Sequence, residues 1–485
     1  MNPLVLHEDR FFDAEPSIRR VARTLYEETR TLPLICPHGH VDPALLAENA
    51  PFPEPTSLLL IPDHYIVRML YSQGVSMESL GIPTVDGAPV ETNPRAIWRR
   101  FAGQQHLFAG TPTRAWLDHE LYEVFGIRVQ LSADTADYVY DAIAARLAAP
   151  EYRPRTLFER FNIEVLATTD AASDRLLAHQ TIRDSGWSGR VIPTFRPDAL
   201  FRIATPGWRD ALHAFEVVHG SSIETAESFC HALATRRRWF ASMGATATDH
   251  AVVEPLTAAQ SPEVIERLFV AALEGRATAD DQRKFEAHML MEMAHMSTED
   301  GLVMQLHPGS WRDHHEVVHR RFGTDKGADI PVTTEYTRNL RALLSTYGAH
   351  PNLTLVLFTL DESAYARELA PLAGHYPALR LGPPWWFHDS IEGMRRYRAQ
   401  VTETAGIYNT VGFNDDTRAF CSIPARHDLS RRIDANWLAG LVSQHIVSLE
   451  DARTMARALA YDLARRTYRL DSAAPRTERG AAHVG

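Results

Sequence analysis

Lysine and cysteine are scarce in this sequence, and long apolar runs are missing from it. Lys284 and Lys326 are its two lysines, so arginine supplies nearly all of the positive charge. The three cysteines, Cys36, Cys230 and Cys421, form no C-x-x-C pair, and an odd number does not suit a disulfide framework. No stretch is apolar for long enough to span a bilayer, and the N-terminus lacks the basic and apolar segments of a signal peptide. We therefore expect a cytoplasmic protein that does not bind membranes.

Acidic residues outnumber basic ones, and the formal net charge is −11. This balance argues against a protein that binds nucleic acid or an anionic membrane. Apolar residues make up 45% of the 485 residues, which is ordinary for a globular protein with a substantial core. A chain of this length can form two or three average domains, or one large barrel with insertions.

Short apolar segments that end in polar or Gly/Pro-rich residues recur along the chain, as buried parallel strands do. The predicted strands are Leu34–Cys36, Ile163–Ala167, Val191–Phe195, Ala245–Thr248, Leu302–Leu306, Leu353–Leu360, Leu379–Leu381 and Tyr408–Phe413. Helical patterns lie between them, and residues suited to catalysis follow each one, as at the active-site face of a (β/α)₈ barrel. The series favours an α/β fold with a TIM-like barrel over a doubly wound sheet.

The predicted strands are unevenly spaced. Helical patterns fill the segment from about residue 44 to 160, and further helical elaboration covers about residues 199–300. Since no Ser/Gly linker or charge run sets these segments apart, we predict helical insertions after strands 1 and 4 of a single domain, residues 1–471. The small and polar residues 472–485 predict a frayed tail.

Histidines and aspartates at strand ends suggest a metal site. His38 and His40 follow the first strand, where residues i and i+2 point to the same side and can bind one ion. His307 closes the fifth strand and Asp416 follows the eighth, which together give a single-metal site with an open position. Taken alone, H-x-H is more often incidental, His307 can be an ordinary strand-end histidine, and Asp415 or Asp416 can be a helix N-cap.

The scarcity of lysine limits the number of ions. No lysine ends a predicted strand, so a carboxylated lysine that bridges two metals is excluded and one metal is expected. Imidazole and carboxylate ligands without thiolate suit Zn²⁺, our first choice, or Mn²⁺ or Fe²⁺.

Other polar groups suit an anionic polyhydroxyl ligand. Arg196 and Arg418 follow the third and eighth strands, and a guanidinium matches a carboxylate bidentately. His64 and Tyr65 lie in a polar cluster after the first strand, where Tyr65 can donate a proton to a sugar oxygen. Trp386 belongs to an aromatic trio that can line the pocket. The alternatives are intramolecular ion pairs for the arginines, a helix cap for the cluster and core packing for the trio.

The motifs PHGHVDP, DHYIVR, ATTDAASD, PTFRPD, MQLHPG, WWFHD and DDTRAF occur in this order along nearly the whole chain. In these motifs the chain resembles the uronate isomerase (glucuronate isomerase) family of the amidohydrolase superfamily. The resemblance implies a distorted (β/α)₈ barrel that interconverts D-glucuronate with D-fructuronate, and D-galacturonate with D-tagaturonate. It also implies site roles: metal ligands His38, His40 and Asp416, with His307 at or next to the metal, and substrate-binding or catalytic Arg418, Arg196, His64 and Tyr65. The doubled aspartate, where the family usually has one, leaves open which carboxylate faces the metal.

The expected reaction is an aldose–ketose isomerisation through a cis-enediol, with Asp416, or water held by it, as the base. Tyr65 and Arg418 complete the predicted catalytic set. A hydrolase of the same superfamily, such as a deaminase or lactonase, is the first alternative. A sugar-acid binder without activity is the second. The sequence leaves open the preferred uronate and whether subunits form a homo-oligomer.

Overall fold

The computed structural model describes residues 1–61 and 63–471, and the predicted frayed tail, 472–485, lies outside them. Its strands are β1 Leu34–Cys36, β2 Ile163–Ala167, β3 Asp170–Ala171, β4 Val191–Ile192, β5 Phe195–Arg196, β6 Ala247–Val252, β7 Val303–Pro308, β8 Ser310–Trp311, β9 Ile330–Pro331, β10 Leu355–Leu357 and β11 Leu379–Leu381.

Helices fill most of the remaining chain. Those before β6 are α1 Pro16–Thr29, α2 Pro43–Glu48, α3 Pro55–Leu59, α4 His64–Ser72, α5 Pro94–Gly103, α6 Pro112–His119, α7 Ala136–Leu147, α8 Pro154–Arg160, α9 Leu177–Asp184, α10 Asp198–Phe201, α11 Trp208–His219 and α12 Ala226–Ser242. Those after β6 are α13 Pro262–Leu273, α14 Ala279–Asp300, α15 Glu316–Phe322, α16 Arg341–Tyr347, α17 Ala370–Ala373, α18 Ile391–Ala405, α19 Ile423–Ser443, α20 Leu449–Arg457 and α21 Leu463–Thr467. None of the described helices has the length and apolar character that a membrane crossing requires.

All strands except β8 and β9 belong to two parallel sheets. One sheet has the order β1-β2-β4, and the other has the order β11-β10-β7-β6-β5-β3. The third predicted strand is divided at Pro193, whose nitrogen cannot donate to a ladder. Backbone hydrogen bonds from Thr168 to Ile192 and from Asp170 to Thr194 continue across the break. The fold is therefore α/β, with strands that neighbour one another in chain order.

The first, second and seventh predicted strands have the bounds expected from their apolar runs. The eighth prediction, Tyr408–Phe413, was wrong as a strand. The segment has a bridge from Thr410 to Leu381, and Val411 N–H donates to the Leu381 carbonyl. Gly406 and Gly412 have φ of 68° and 80°, and these left-handed torsions interrupt the extended backbone on both sides of the bridge.

One apolar cluster is built from side chains of β1, β2, β4, β6, β7 and β10 and from Val411. Its members include Ile35, Val165, Ala167, Ile192, Ala247, Val303, Val356 and Val411. Two larger clusters pack helices against the outside of the strands. Helices α2 to α8 all lie between β1 and β2 in the chain, and β8 pairs antiparallel with β9 in a hairpin that follows β7.

Candidate metal and substrate site

Side chains from separate strand ends meet at one edge of the sheets. The ligand atoms of His38, His307 and Asp416 all lie within 4.8 Å of one another. The His38 and His307 rings are stacked with centroids 4.7 Å apart. His40 lies beside this group, with its Nε2 3.3 Å from Asp416 Oδ1. The chain thus brings together the four residues that the sequence nominated as metal ligands.

A second carboxylate, that of Asp249, contacts His307 through its Nδ1. Asp249 Oδ1 lies 2.7 Å from His307 Nδ1, and both side chains are almost fully buried. An imidazole held in this way keeps its proton on Nδ1 and presents the Nε2 lone pair. His307 Nε2 is buried and has no hydrogen-bond partner among the described residues. It is therefore free to bind an ion.

The two adjacent aspartates face different ways. Asp416 Oδ1 lies 3.5 Å from His38 Nε2 and near His40, whereas Asp415 Oδ1 lies 3.4 Å from His427 Nε2. His427 in turn is 3.7 Å from the buried Cys36 sulfur. Asp416 has φ of 39°, and this left-handed torsion turns the chain between the two carboxylates.

Burial and neighbouring charge set the protonation of these groups. Burial lowers the pKa of His40 and of His307, so both imidazoles tend to be neutral. Burial would raise the pKa of Asp416, but the imidazoles of His38 and His40 outweigh it and hold that pKa well below its usual range. Neutral imidazoles with an ionised carboxylate are the forms that bind a divalent cation.

A cavity of about 340 Å³ opens beside Asp416 and His40. Small-molecule sites fall in the range of roughly 300–1,000 Å³. Its lining includes arginines at five positions, Arg196, Arg202, Arg312, Arg418 and Arg426. Such a lining gives the cavity several groups that can bind an acid.

Most of these arginines also have carboxylate partners within the chain. Arg196 Nε lies 2.7 Å from Asp198, and its Nη1 lies 3.4 Å from Asp249. Arg418 forms an ion pair with Asp325. Arg196 and Arg418 therefore form intramolecular ion pairs, which was the alternative interpretation of both residues. Both guanidinium groups also line the cavity.

The polar cluster around His64 both caps a helix and lines the cavity, as its two alternative interpretations predicted. Asp63 caps α4, because its Oδ1 accepts from Tyr65 N–H at 2.8 Å. His64 and Tyr65 nevertheless line the cavity, with their rings stacked 4.7 Å apart. Trp386 lies against His64, with ring centroids 5.4 Å apart, and its indole nitrogen has no partner among the described residues. Burial raises the pKa of Tyr65 well above its ordinary value, so its hydroxyl keeps its proton.

Sequence reasoning missed several residues of the site. Asp249 directly follows the fourth predicted strand and was therefore within reach. Arg426 lines the cavity and pairs with Asp389 at 2.7 Å, and Asp389 is the last residue of the motif WWFHD. Arg312 and Asp325 belong to the β8–β9 hairpin segment, where two-residue strands leave no periodic signal.

Comparison with known proteins identifies the family. The sequence profile described as glucuronate isomerase matches residues 9–468. The chain belongs to the glucuronate isomerase family. It is 54% identical over 468 residues to a uronate isomerase from Nostoc punctiforme, and the match covers 96% of this chain and 99% of the relative. A uronate isomerase from Rhizorhabdus wittichii is 55% identical over the same length and coverage.

Solved structures of the family have the same fold. The crystal structure of glucuronate isomerase from Caulobacter crescentus superposes with a TM-score of 0.96 at 50% identity, over 97% of this chain and 98% of that one. A uronate isomerase from Thermotoga maritima gives a TM-score of 0.89 at 27% identity, over 96% and 99%. Family membership disfavours the hydrolase alternative.

Proposed function

We propose that this protein isomerises uronates, converting D-glucuronate to D-fructuronate and D-galacturonate to D-tagaturonate. Relatives that are more than half identical over nearly their full length are named uronate isomerases. The site adds the observation that carries the chemistry: imidazoles and an ionised carboxylate converge beside a cavity lined with arginines.

A divalent metal fits the residues at this site. His307 Nε2 is buried and has no hydrogen-bond partner among the described residues, as suits a nitrogen that binds a metal, and the donors around it are imidazole and carboxylate. His38, His40, His307 and Asp416 would hold one ion, with Zn²⁺ the first choice and Mn²⁺ or Fe²⁺ the alternatives. When bound, such an ion orients substrate oxygens and stabilises the negative charge that develops on them.

Arginines fix the acid end of the substrate. Arg418 and Arg196 bind its carboxylate, because a guanidinium offers two parallel donors to two carboxylate oxygens. His64 and Trp386 contact the sugar chain from the facing wall. Holding the substrate at both ends places its C1 and C2 next to Asp416.

The proposed reaction moves hydrogen between two carbons without an external oxidant. Asp416, or water held by it, removes the C2 proton, and the electron pair of that bond forms the C1–C2 double bond of a cis-enediol. Tyr65 donates a proton to the sugar oxygen at C1. The C2 oxygen then returns a proton to the Tyr65 oxygen. The protonated base, which exchanges with solvent, delivers a proton to C1, and a ketose with a C1 alcohol remains.

We further propose how the chain is organised around this site. Residues 408–417 take the place of the eighth strand in a distorted (β/α)₈ barrel. Contacts to both neighbours support this: Val411 bonds to Leu381 on one side, and His40 N–H donates to the Thr417 carbonyl on the other. Residues 1–471 form one domain, with helical insertions after strands 1 and 4. Free Cys36, Cys230 and Cys421 suit the cytoplasm as its compartment.

The test is turnover of the zinc-loaded protein with D-glucuronate and with D-galacturonate, followed by detection of the ketose. In deuterated water we expect deuterium at C1 of the product at early turnover. A product without deuterium would instead support a hydride shift from C2 to C1. Arg196→Ala and Arg418→Ala should each lower kcat/KM strongly, whereas a hydrolase that does not bind an acid would tolerate both.

A further inference from the structure

A chain of buried polar side chains leads away from His38, from the ring nitrogen that does not face Asp416. Gln305 Nε2 lies 3.4 Å from His38 Nδ1, and Tyr468 Oη lies 2.8 Å from Gln305 Oε1. Asn414 Nδ2 lies 3.1 Å from Tyr468 Oη. These four side chains are among the most buried polar groups of the described chain, and none is needed by the reaction above except His38.

The geometry fixes which nitrogen of His38 faces the metal site. Its Nε2 lies 3.5 Å from Asp416 Oδ1, so Nδ1 is the nitrogen that faces Gln305. An imidazole that binds a cation through Nε2 carries its proton on Nδ1, which then needs an acceptor. The amide of Gln305 supplies one after a half turn that exchanges its oxygen and nitrogen. This turn gives up a 3.5 Å contact to the Thr248 carbonyl, which is at the limit of a hydrogen bond.

The half turn of the Gln305 amide also determines which groups donate and which accept in the next two hydrogen bonds. The amide nitrogen of Gln305 then donates to Tyr468 Oη, and the tyrosine hydroxyl needs an acceptor of its own. Asn414 offers its Oδ1, which is buried and has no partner among the described residues in the present orientation. A half turn of this second amide completes one line of donors from His38 to Asn414.

We propose that Gln305, Tyr468 and Asn414 are positioning residues that hold His38 in the tautomer and orientation needed to bind the metal. Polar groups behind a metal-binding histidine typically change metal affinity by 10- to 100-fold. Tyr468 follows α21 and Asn414 precedes Asp416, so the line connects the last helix of the described chain to a metal ligand. This inference rests on the proposed metal site.

The test measures the zinc dissociation constant of the full chain by competition with a chromophoric chelator. Gln305→Met keeps the volume but removes the acceptor, and we expect zinc to bind 10- to 100-fold more weakly. Gln305→Glu keeps an acceptor for His38 Nδ1–H, so we expect affinity at or above that of the parent. A residue that only fills space would give the opposite order, because methionine packs well and a buried carboxylate does not.

Tyr468→Phe should weaken zinc binding by a smaller factor, and the double variant with Gln305→Met should be less than additive because both act through one line. Tyr397→Phe is the matched control, because that buried tyrosine contacts Leu381 and lies outside the line. If Gln305→Met does not fold, Gln305→Glu and Tyr468→Phe still decide the question.

The outcomes separate this inference from the proposed function. A parent protein that binds none of Zn²⁺, Mn²⁺ and Fe²⁺ would refute the metal site itself. A parent that binds zinc, with Tyr468→Phe and Gln305→Met folded and unchanged within two-fold, would refute the positioning role and leave the proposed function intact.

Discussion

At the scale of single residues, backbone strain concentrates around the cavity. Asp313, Asp325, Trp386 and Asp416 line it, and their φ values are 52°, 65°, 53° and 39°. A residue other than glycine in this region costs on the order of 1–3 kcal/mol and persists only where its surroundings enforce it. No local pattern announces such torsions, so the sequence could nominate Asp416 as a ligand but could not say that Asp415 turns away from it.

Asp249 offers a residue-scale test of how His307 is held. Asp249→Asn keeps the shape but removes the charge that supports the His307 imidazole, so we expect zinc to bind 10- to 100-fold more weakly. Chelator competition measures this change. Asp434→Asn is the matched control, because Asp434 is also a buried aspartate, paired with Arg398 at 2.7 Å. Asp434→Asn should lower stability and leave the zinc dissociation constant unchanged. Equal zinc affinities for the parent, Asp249→Asn and Asp434→Asn would contradict the role of Asp249.

Glu120 gives a prediction on pH and stability away from the metal. Burial, with a contribution from Asp63, raises the pKa of Glu120 from 4.5 to about 8. The folded state binds the Glu120 proton more tightly than the unfolded state does. The protonated carboxyl therefore makes its full contribution to the free energy of unfolding below about pH 4.5, and this contribution is lost as the pH rises through about 8. Glu120→Gln should therefore gain stability relative to the parent between pH 5 and 8, and the gain should level off above that.

Urea unfolding between pH 5 and 9 measures this difference. Glu123→Gln is the control, since Glu123 is exposed on the same helical turn. A difference between the parent and Glu120→Gln that does not vary with pH would show that the carboxyl ionises freely in the folded protein.

At the scale of elements, the sequence predicted strands well where one apolar run ended in a polar group. The strand before His38 and the strand before His307 were both found, and with them the histidines at their ends. The hairpin β8–β9 was missed because its strands are two residues long and its position depends on packing. Gly327 in its loop has φ of 78°, and a Cβ there would lie 2.7 Å from the Arg68 side chain, so the loop sits directly on α4.

The hairpin loop also places Asp325 against Arg418, where the substrate carboxylate is proposed to bind. Both side chains are more than a third exposed, so the pair is worth no more than about 1 kcal/mol. Asp325→Asn removes a competing carboxylate, and we expect the KM for glucuronate to fall by about two- to five-fold. Steady-state kinetics measure it, with Lys326→Gln as the control for the neighbouring loop charge. A rise in KM would mean that Asp325 orients Arg418 instead.

At the scale of the whole molecule, the order of the strands was predictable, but the junction between α19 and the segment before β1 was not. Apolar runs define strands one at a time, whereas the junction depends on side chains distant in the sequence. Arg431, on α19, donates to the carbonyls of Arg30, Leu32 and Pro33 at 3.0–3.1 Å. Helix α19 thus holds the turn that leads into β1.

Removing this guanidinium should loosen that junction. Arg431 is 6% exposed, and Arg431→Met keeps its aliphatic packing while it leaves the three carbonyls without this donor. Hydrogen bonds to a charged group contribute about 1.5–3 kcal/mol, and a buried carbonyl left without a partner costs more, so we expect the free energy of unfolding to fall by about 3 kcal/mol. Arg238→Met, on the exposed side of α12, should change it by less than about 0.5 kcal/mol. If urea unfolding gives equal free energies of unfolding for Arg431→Met and Arg238→Met, packing alone holds the junction and the hydrogen bonds of Arg431 contribute nothing to it.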